Sequence, residues 1–398
     1  MSYLDSLQLM PDDPILNLNV SFAADSRNNK VNLGVGSYKT GEGNPMVLSS
    51  VKKAEAILLE KNLNKEYLPI DGLKEFIQEA LNVVYGNDFP ALKNGEICGV
   101  QTIGGTGALR IGSEFLATRN ISKTIFVSDP TWPNHKGIFS QVGLKVDVYP
   151  YYDQVAHKLD FAGMCESIKH MPKGSIILLH ACCHNPTGID PQFEQWKELS
   201  KLIKDQQLIP FFDFAYQGFG QGLEEDAKAV RYFAEQHHEM LVASSFSKNF
   251  GLYSERVGLL SIVTPNKETA VRVCSQLKSL IRCSYSTPPS HGVRIVKTIL
   301  QDPALRKEWE QELANMCERI KEMRKALVGE LLTRKNNKDF SFMNRQQGIF
   351  SYSGLDQDQV HRLRQENGIY MPSNGRINVA GLNWHNLNYV VDAILSVL

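Results

Sequence analysis

The stretch SSFSKNFGLYSERVG, residues 244–258, sets Lys248 among hydroxyls and follows it with Arg256. Apolar runs of strand length flank it, MLVASSF before and RVGLLSIV after, so a long hydrated ammonium is carried to the lip of a sheet. Such a lysine is either a solvated loop residue or an amine used chemically, desolvated or held as a Schiff base. Other places narrow the choice. Asp213 interrupts the run PFFDFAY, and a carboxylate there needs a partner, because an isolated buried charge is strongly disfavoured or becomes protonated. Tyr216 follows three residues later, and Asn185 stands beside a Pro-Thr-Gly turn in CCHNPTGID. In GGTGALR, residues 104–110, glycines open into a helix whose free amides and positive dipole end favour a phosphate.

These four places share one consistent ligand. Pyridoxal phosphate offers an aldehyde to a lysine, a phosphate to a helix start, a ring nitrogen to a buried anion and a phenolic oxygen to Asn185 and Tyr216. A nicotinamide dinucleotide fits less well, since Arg110 stands where the fingerprint G-x-G-x-x-G needs its third glycine.

The elements that must position these residues are readable between about residues 100 and 265. KTIFVSDP, LKVDVYPYY, SIILLHACC, LIPFFDFAY, MLVASSFS and VGLLSIV read as strands, and ALRIGSEFLATR, FEQWKELSKLIKDQ and AKAVRYFAEQHHEM as helices between them. Continuous apolar strands predict an α/β fold whose mainly parallel sheet is sandwiched by helices, with ligands at the carboxyl ends of the strands. After residue 303, PALRKEWEQELANMCERIKEMRKALVGELL predicts a long helix leading into a smaller α/β domain. The expected division is a large domain over 46–310 and a small one formed by 1–45 with 311–398.

Composition excludes other classes. Lys plus Arg equals Asp plus Glu at 43 each, so charge draws the chain to neither nucleic acid nor an anionic membrane. No apolar run reaches the roughly 18 residues of a membrane span. The N-terminal MSYLDSLQLMPDDP carries acids where a targeting peptide would carry bases, which predicts a cytoplasmic protein. Seven cysteines without a repeating interval predict reduced thiols. HACCH, residues 180–184, lacks paired C-x-x-C spacing, and in an extended strand Cys183 would point away from its neighbours, so no metal site is expected.

Taken together, SSFSKNFGLYSERVG, CCHNPTGID, DFAYQGFG, GGTGALR, PTWPNH and RINVAGL resemble the motifs of the aspartate and aromatic amino-acid aminotransferases, class I, fold-type I pyridoxal-phosphate enzymes, and along the chain they fall in that family's order. The resemblance runs from NLGVGSYK to the C-terminus. It implies Lys248 as the Schiff-base lysine, and Ser245, Arg256 and the amides of Gly105 and Thr106 as holders of the phosphate. Asp213 would face the ring nitrogen with His135 behind it, Asn185 and Tyr216 the phenolic oxygen, and Trp132 the ring face. Arg376 would clamp the substrate α-carboxylate, helped by the backbone at Gly36. Tyr67 and Arg282 would come from the partner of a homodimer, Arg282 to bind the distal carboxylate of a dicarboxylic substrate.

The implied reaction is ping-pong exchange of the amino group of L-aspartate, with aromatic amino acids as further donors, against 2-oxoglutarate. Enzymes using tyrosine or phenylalanine as main donors, and lyases of the same fold, are the alternatives. Against a lyase stands Arg282, and against a binding protein without activity stand Lys248 and Asp213. Gly104 departs from the serine of many relatives, and Ser37 and KTGEGNP depart from the commonest aspartate-specific forms.

Overall fold

The computed structural model describes residues 3–10, 13, 15–334 and 338–398. The acidic N-terminal segment read above therefore lies partly outside the described residues. Seven strands form the central sheet: β1 (Ile97–Ile103), β2 (Thr124–Asp129), β3 (Lys145–Pro150), β4 (Ile176–His180), β5 (Ile209–Phe214), β6 (Met240–Ser245) and β7 (Val257–Val263). Their order is β1-β7-β6-β5-β4-β2-β3. Strands β2 to β6 pair in parallel, whereas β7 is antiparallel to both β1 and β6. The reason lies in the link from β6 to β7. Residues 246–256 contain no helix, and a parallel return requires a longer crossover.

Strands β4, β6 and β7 are buried along their whole length, as continuous apolar runs require when helices cover both faces. Helix α1 (Leu16–Ala24) precedes the sheet; α2 (Gly104–Thr118) crosses β7 and β6, and α3 (Lys267–Ser284) packs on β1. The long helix α4 (Pro303–Thr333) forms where its charge pattern predicts. Asp302 accepts the amides of Ala304 and Leu305, and Pro303 sits at the first position, where its missing donor is no loss. Leu305, Trp309, Leu313, Met316, Ile320 and Met323 make its buried stripe. Trp309 stacks on Phe250 at 4.3 Å and donates its indole N–H to the Asn249 carbonyl at 2.7 Å, pinning the backbone just after Lys248.

The N-terminal segment does pack with the C-terminal part. Val31–Asn32 pairs in parallel with Ile369–Tyr370, and Phe350–Tyr352 pairs antiparallel with Arg376–Asn378, beside helix α5 (Gln357–Asn367).

The cysteine reading is corrected. Cys98 on β1 and Cys274 on α3 form a disulfide across 176 residues, while Cys165, Cys182, Cys183, Cys283 and Cys317 are free. The two meet because α3 packs on β1, a tertiary contact that leaves no interval in the sequence.

Candidate active site

Sheet register aligns His180 with Asp213 and Asp213 with Ala243 across β4, β5 and β6. The loops leaving these strands, with Asn185, Tyr216 and Lys248, therefore gather at the carboxyl ends. There a cavity of about 270 Å³ is lined by Gly36, Gly105, Thr106, Trp132, Asn185, Asp213, Tyr216, Ser245, Lys248, Arg256 and Arg376. Tyr67 and Arg282 do not line it: Tyr67 is 88% exposed, and the exposed Arg282 donates to the Ser286 hydroxyl. Sequence reasoning missed Ile15, Leu16, Val35, Leu109, Ala215, Ser247, Tyr253 and Phe350. Of these, Ser247 and Tyr253 lie within the quoted SSFSKNFGLYSERVG, and Val35, Leu109 and Ala215 within other quoted motifs, whereas Ile15, Leu16 and Phe350 carried no local signal.

One end of the cavity is built for an anion. Gly104 adopts φ +64°, and a Cβ added there would lie 2.4 Å from an Arg256 guanidinium nitrogen. Glycine in place of serine thus lets Arg256 lie against the first turn of α2. Gly105 is similarly close, its virtual Cβ 3.0 Å from that of Ser245. Arg256 is fixed by donation to the Tyr253 carbonyl at 2.9 Å, and its own carbonyl accepts from the Gly104 amide at 2.9 Å. A guanidinium beside the amino end of a 15-residue helix suits a phosphate.

At the opposite end, a chain of hydrogen bonds runs in one direction. Burial lowers the His180 pKa to about 3, so this ring is neutral. Its Nδ1 accepts from the Asn185 amide at 3.3 Å, which assigns the proton to Nε2, 3.2 Å from Thr131 Oγ1. Thr131 in turn lies 2.8 Å from His135 Nδ1, and His135 Nε2 donates to Asp213 Oδ2 at 3.0 Å. Burial raises the Asp213 pKa. The His135 hydrogen bond, with the positive charge of Lys248, outweighs it and holds the carboxyl below its usual value. Asp213 therefore lines the cavity as a carboxylate favoured in its ionised form.

Lys248 stands nearby, its Nζ 5.1 Å from the Tyr216 ring centre. Desolvation lowers its pKa to about 8; Arg256 and Arg376 add to this, while Asp213 opposes it.

Arg376, 2% exposed, donates to Asn185 Oδ1 at 3.0 Å and to the Gly34 carbonyl at 2.7 Å, and lies 4.0 Å over the Phe350 ring. Among the described residues no acid pairs with it, and its buried Nε has no partner. A guanidinium so placed is completed by a carboxylate.

Cys183 corrects a local expectation. Strand β4 ends at His180 and Cys183 adopts φ +51°, so its thiol does not alternate away. The ligand atoms of Cys182, Cys183 and Asp226 lie within 4.8 Å of one another. The Asp226 carboxylate already accepts from the amides of Gly218, Gly220 and Gln221, which fixes the turn after Tyr216.

Residues 28–394 match the family model of aminotransferase class I and II. The aspartate aminotransferase of Escherichia coli (strain K12) is 48% identical over 394 residues, covering 99% of this chain and 100% of that protein. Among solved structures, an aromatic-amino-acid aminotransferase from Burkholderia pseudomallei, covalently bound to pyridoxal phosphate, superposes with TM-score 0.98 at 48% identity, covering 100% of both chains. A psychrophilic aromatic amino acids aminotransferase from Psychrobacter sp. B6, cocrystallised with aspartic acid, gives TM-score 0.97 at 42% identity, covering 99% of each. The chain belongs to the class I and II aminotransferase family. It is a pyridoxal-phosphate-dependent aminotransferase with the α/β fold of type I.

The residues present fit that cofactor: a guanidinium and helix start for its phosphate, an anion for its ring nitrogen, and an amine of lowered pKa. Since only the free amine of Lys248 adds to an aldehyde, uptake of pyridoxal phosphate by the cofactor-free chain should quicken about tenfold per pH unit below pH 8 and level off above it. Stopped-flow absorbance measures this; a midpoint near the ordinary 10.5 would show that Lys248 is not desolvated.

Proposed function

We propose that the enzyme transfers the amino group of L-aspartate to 2-oxoglutarate by a ping-pong cycle, in a homodimer with shared active sites. The observation that carries this reading is Arg376, a buried cation that lines the cavity and whose Nε–H lacks a partner among the described residues. The names of its relatives support the choice of aspartate. Bound here, pyridoxal phosphate supplies an aldehyde for amine exchange and an electron-withdrawing ring that acidifies the substrate α-carbon.

The chain's own residues do the rest. Arg376 fixes the α-carboxylate, with the Gly36 backbone beside it, which turns the α-hydrogen towards Lys248. Lys248, once its amine is free, takes the α-proton and returns it, a role suited to an amine with a pKa near 8. Asp213 keeps the ring nitrogen protonated, and the His135–Thr131–His180 chain keeps Asp213 ionised. Asn185 spends Oδ1 on Arg376, leaving its amide N–H₂ to join Tyr216 at the phenolic oxygen. Ser245, Arg256, Gly105 and Thr106 hold the phosphate, and Trp132 covers the ring.

Tyr67 and Arg282 act across the dimer, Tyr67 at the phosphate and Arg282 at the distal carboxylate. Their placement outside the cavity of their own chain supports that role. Residues 1–45 with 311–398 act as the small domain and 46–310 as the large one. The cytoplasm is the proposed compartment; no described helix is long and apolar enough to cross a membrane. Aromatic amino acids serve as further donors, since Ile15, Leu16 and Val35 give the cavity an apolar wall suited to a ring.

Spectroscopic half-reactions of the holoenzyme test the assignment. Both L-aspartate and L-phenylalanine should bleach the visible band, and 2-oxoglutarate should restore it. Arg282→Leu should lower kcat/KM for aspartate by about 10²-fold, the loss of a charged bidentate contact of roughly 3 kcal/mol, and leave phenylalanine nearly unchanged. Equal losses for the two substrates would remove Arg282 from the distal carboxylate.

A further inference from the structure

We propose that a second anion site precedes the catalytic cavity, a crevice in which Arg364 and His361 gather dianionic oxo acids and anionic amino acids before Arg376 receives them. The proposal rests on the dicarboxylate reading above. The crevice has a volume of about 460 Å³ and is lined by residues of α1, α5 and the loop 371–374, with Pro133 and Pro186. Ile15 and Arg376 line both this crevice and the 270 Å³ cavity, so the two adjoin at the residue that takes the α-carboxylate.

Its charge is one-sided. Among the described residues, its lining carries His361, Arg364 and Arg376 and neither aspartate nor glutamate. Acids on neighbouring segments stay outside the lining: Asp358 on α5 is exposed, and Asp356 just before that helix accepts the Gln359 amide at 2.8 Å. Asp13 accepts the amides of Ile15 and Leu16 at 2.9 and 2.8 Å. Asp25 pairs with Arg27 at 2.6 Å and accepts from the Tyr370 hydroxyl. Glu366, on the helix of Arg364, pairs with Arg362 at 2.9 Å. Arg364, half-buried, forms no ion pair among the described residues, and the mechanism has no use for it.

A crevice of one sign with low-dielectric walls focuses its field and can raise association rates by roughly 10 to 10³. The field acts on net charge. Aspartate carries one net negative charge and a 2-oxo diacid two, whereas phenylalanine is neutral overall, so the crevice favours the acidic substrates before any side-chain contact is made.

The test is the second-order rate constant for bleaching of the holoenzyme by limiting L-aspartate and, separately, L-phenylalanine, from low to high salt. Arg364→Gln should lower the aspartate constant about three- to tenfold at low salt and flatten its salt dependence. The phenylalanine constant and kcat should be unchanged. Arg364→Lys, which keeps the charge but not the shape, should restore the aspartate rate. Equal losses for both substrates, an unaltered salt slope or failure of the lysine variant to rescue would overturn the site. Wild-type enzyme inert to aspartate yet active with phenylalanine would instead overturn the dicarboxylate reading, and the proposal with it.

Discussion

Lys248→Ala is expected to lower kcat by about 10⁴-fold or more while leaving the fold intact. In the proposed mechanism two losses combine: the amine that would hold the cofactor covalently, and the base that would move the α-proton, the second alone worth roughly 10² to 10⁴. Stability should barely change, because the desolvated ammonium contributes little to folding and the neighbouring backbone is held by Trp309 and Phe250. Lys248→Arg should fare no better, since a guanidinium stays protonated and cannot act as a base. The check is single-turnover kinetics with aspartate, alongside circular dichroism of the folded variant. A variant retaining more than a few per cent of wild-type turnover would take Lys248 out of the chemistry.

The second large effect concerns charge rather than proton transfer. Asp213→Asn keeps the size of the side chain and an oxygen to accept from His135, but removes the anion. Breaking a buried charge pair costs about 3–5 kcal/mol, which corresponds to roughly 10² to 10⁴ in kcat if the whole loss falls on the transition state. Cofactor content should hold up better than rate, because phosphate and amine contacts remain. Asp213→Glu should recover part of the activity, which separates the loss of charge from damage to the site. If Asp213→Asn keeps near-normal kcat, then the carboxylate serves packing and the ring nitrogen needs no anion.

Much of this site was legible because its residues break the pattern of the elements that carry them. Asp213 in an apolar strand, Lys248 at the end of another and glycines at the start of α2 each stood out against their surroundings. The helix α4 was legible because its charges recur at helical spacing and its first turn carries Asp302 and Pro303. What escaped notice depends on contacts between distant segments. Ile15, Leu16 and Phe350 line the cavity because segments far apart in the chain meet there, and no local pattern marks them. Thr131 and His180 link to Asp213 only through the register of β4 and β5 and the fold of the 130–135 turn. The antiparallel setting of β7 followed from a loop too short for a crossover. The Cys98–Cys274 bond needed α3 to settle on β1.

The central claim is that Lys248, among the lysines of this chain, carries the cofactor. Borohydride reduction of the holoenzyme followed by peptide mass mapping tests it most directly. One phosphopyridoxyl group per chain is expected, on the peptide containing SKNFGLYSER, and none on the Lys248→Ala enzyme. Label on a different lysine of the native protein, or no label in a protein that still turns over aspartate, would contradict it.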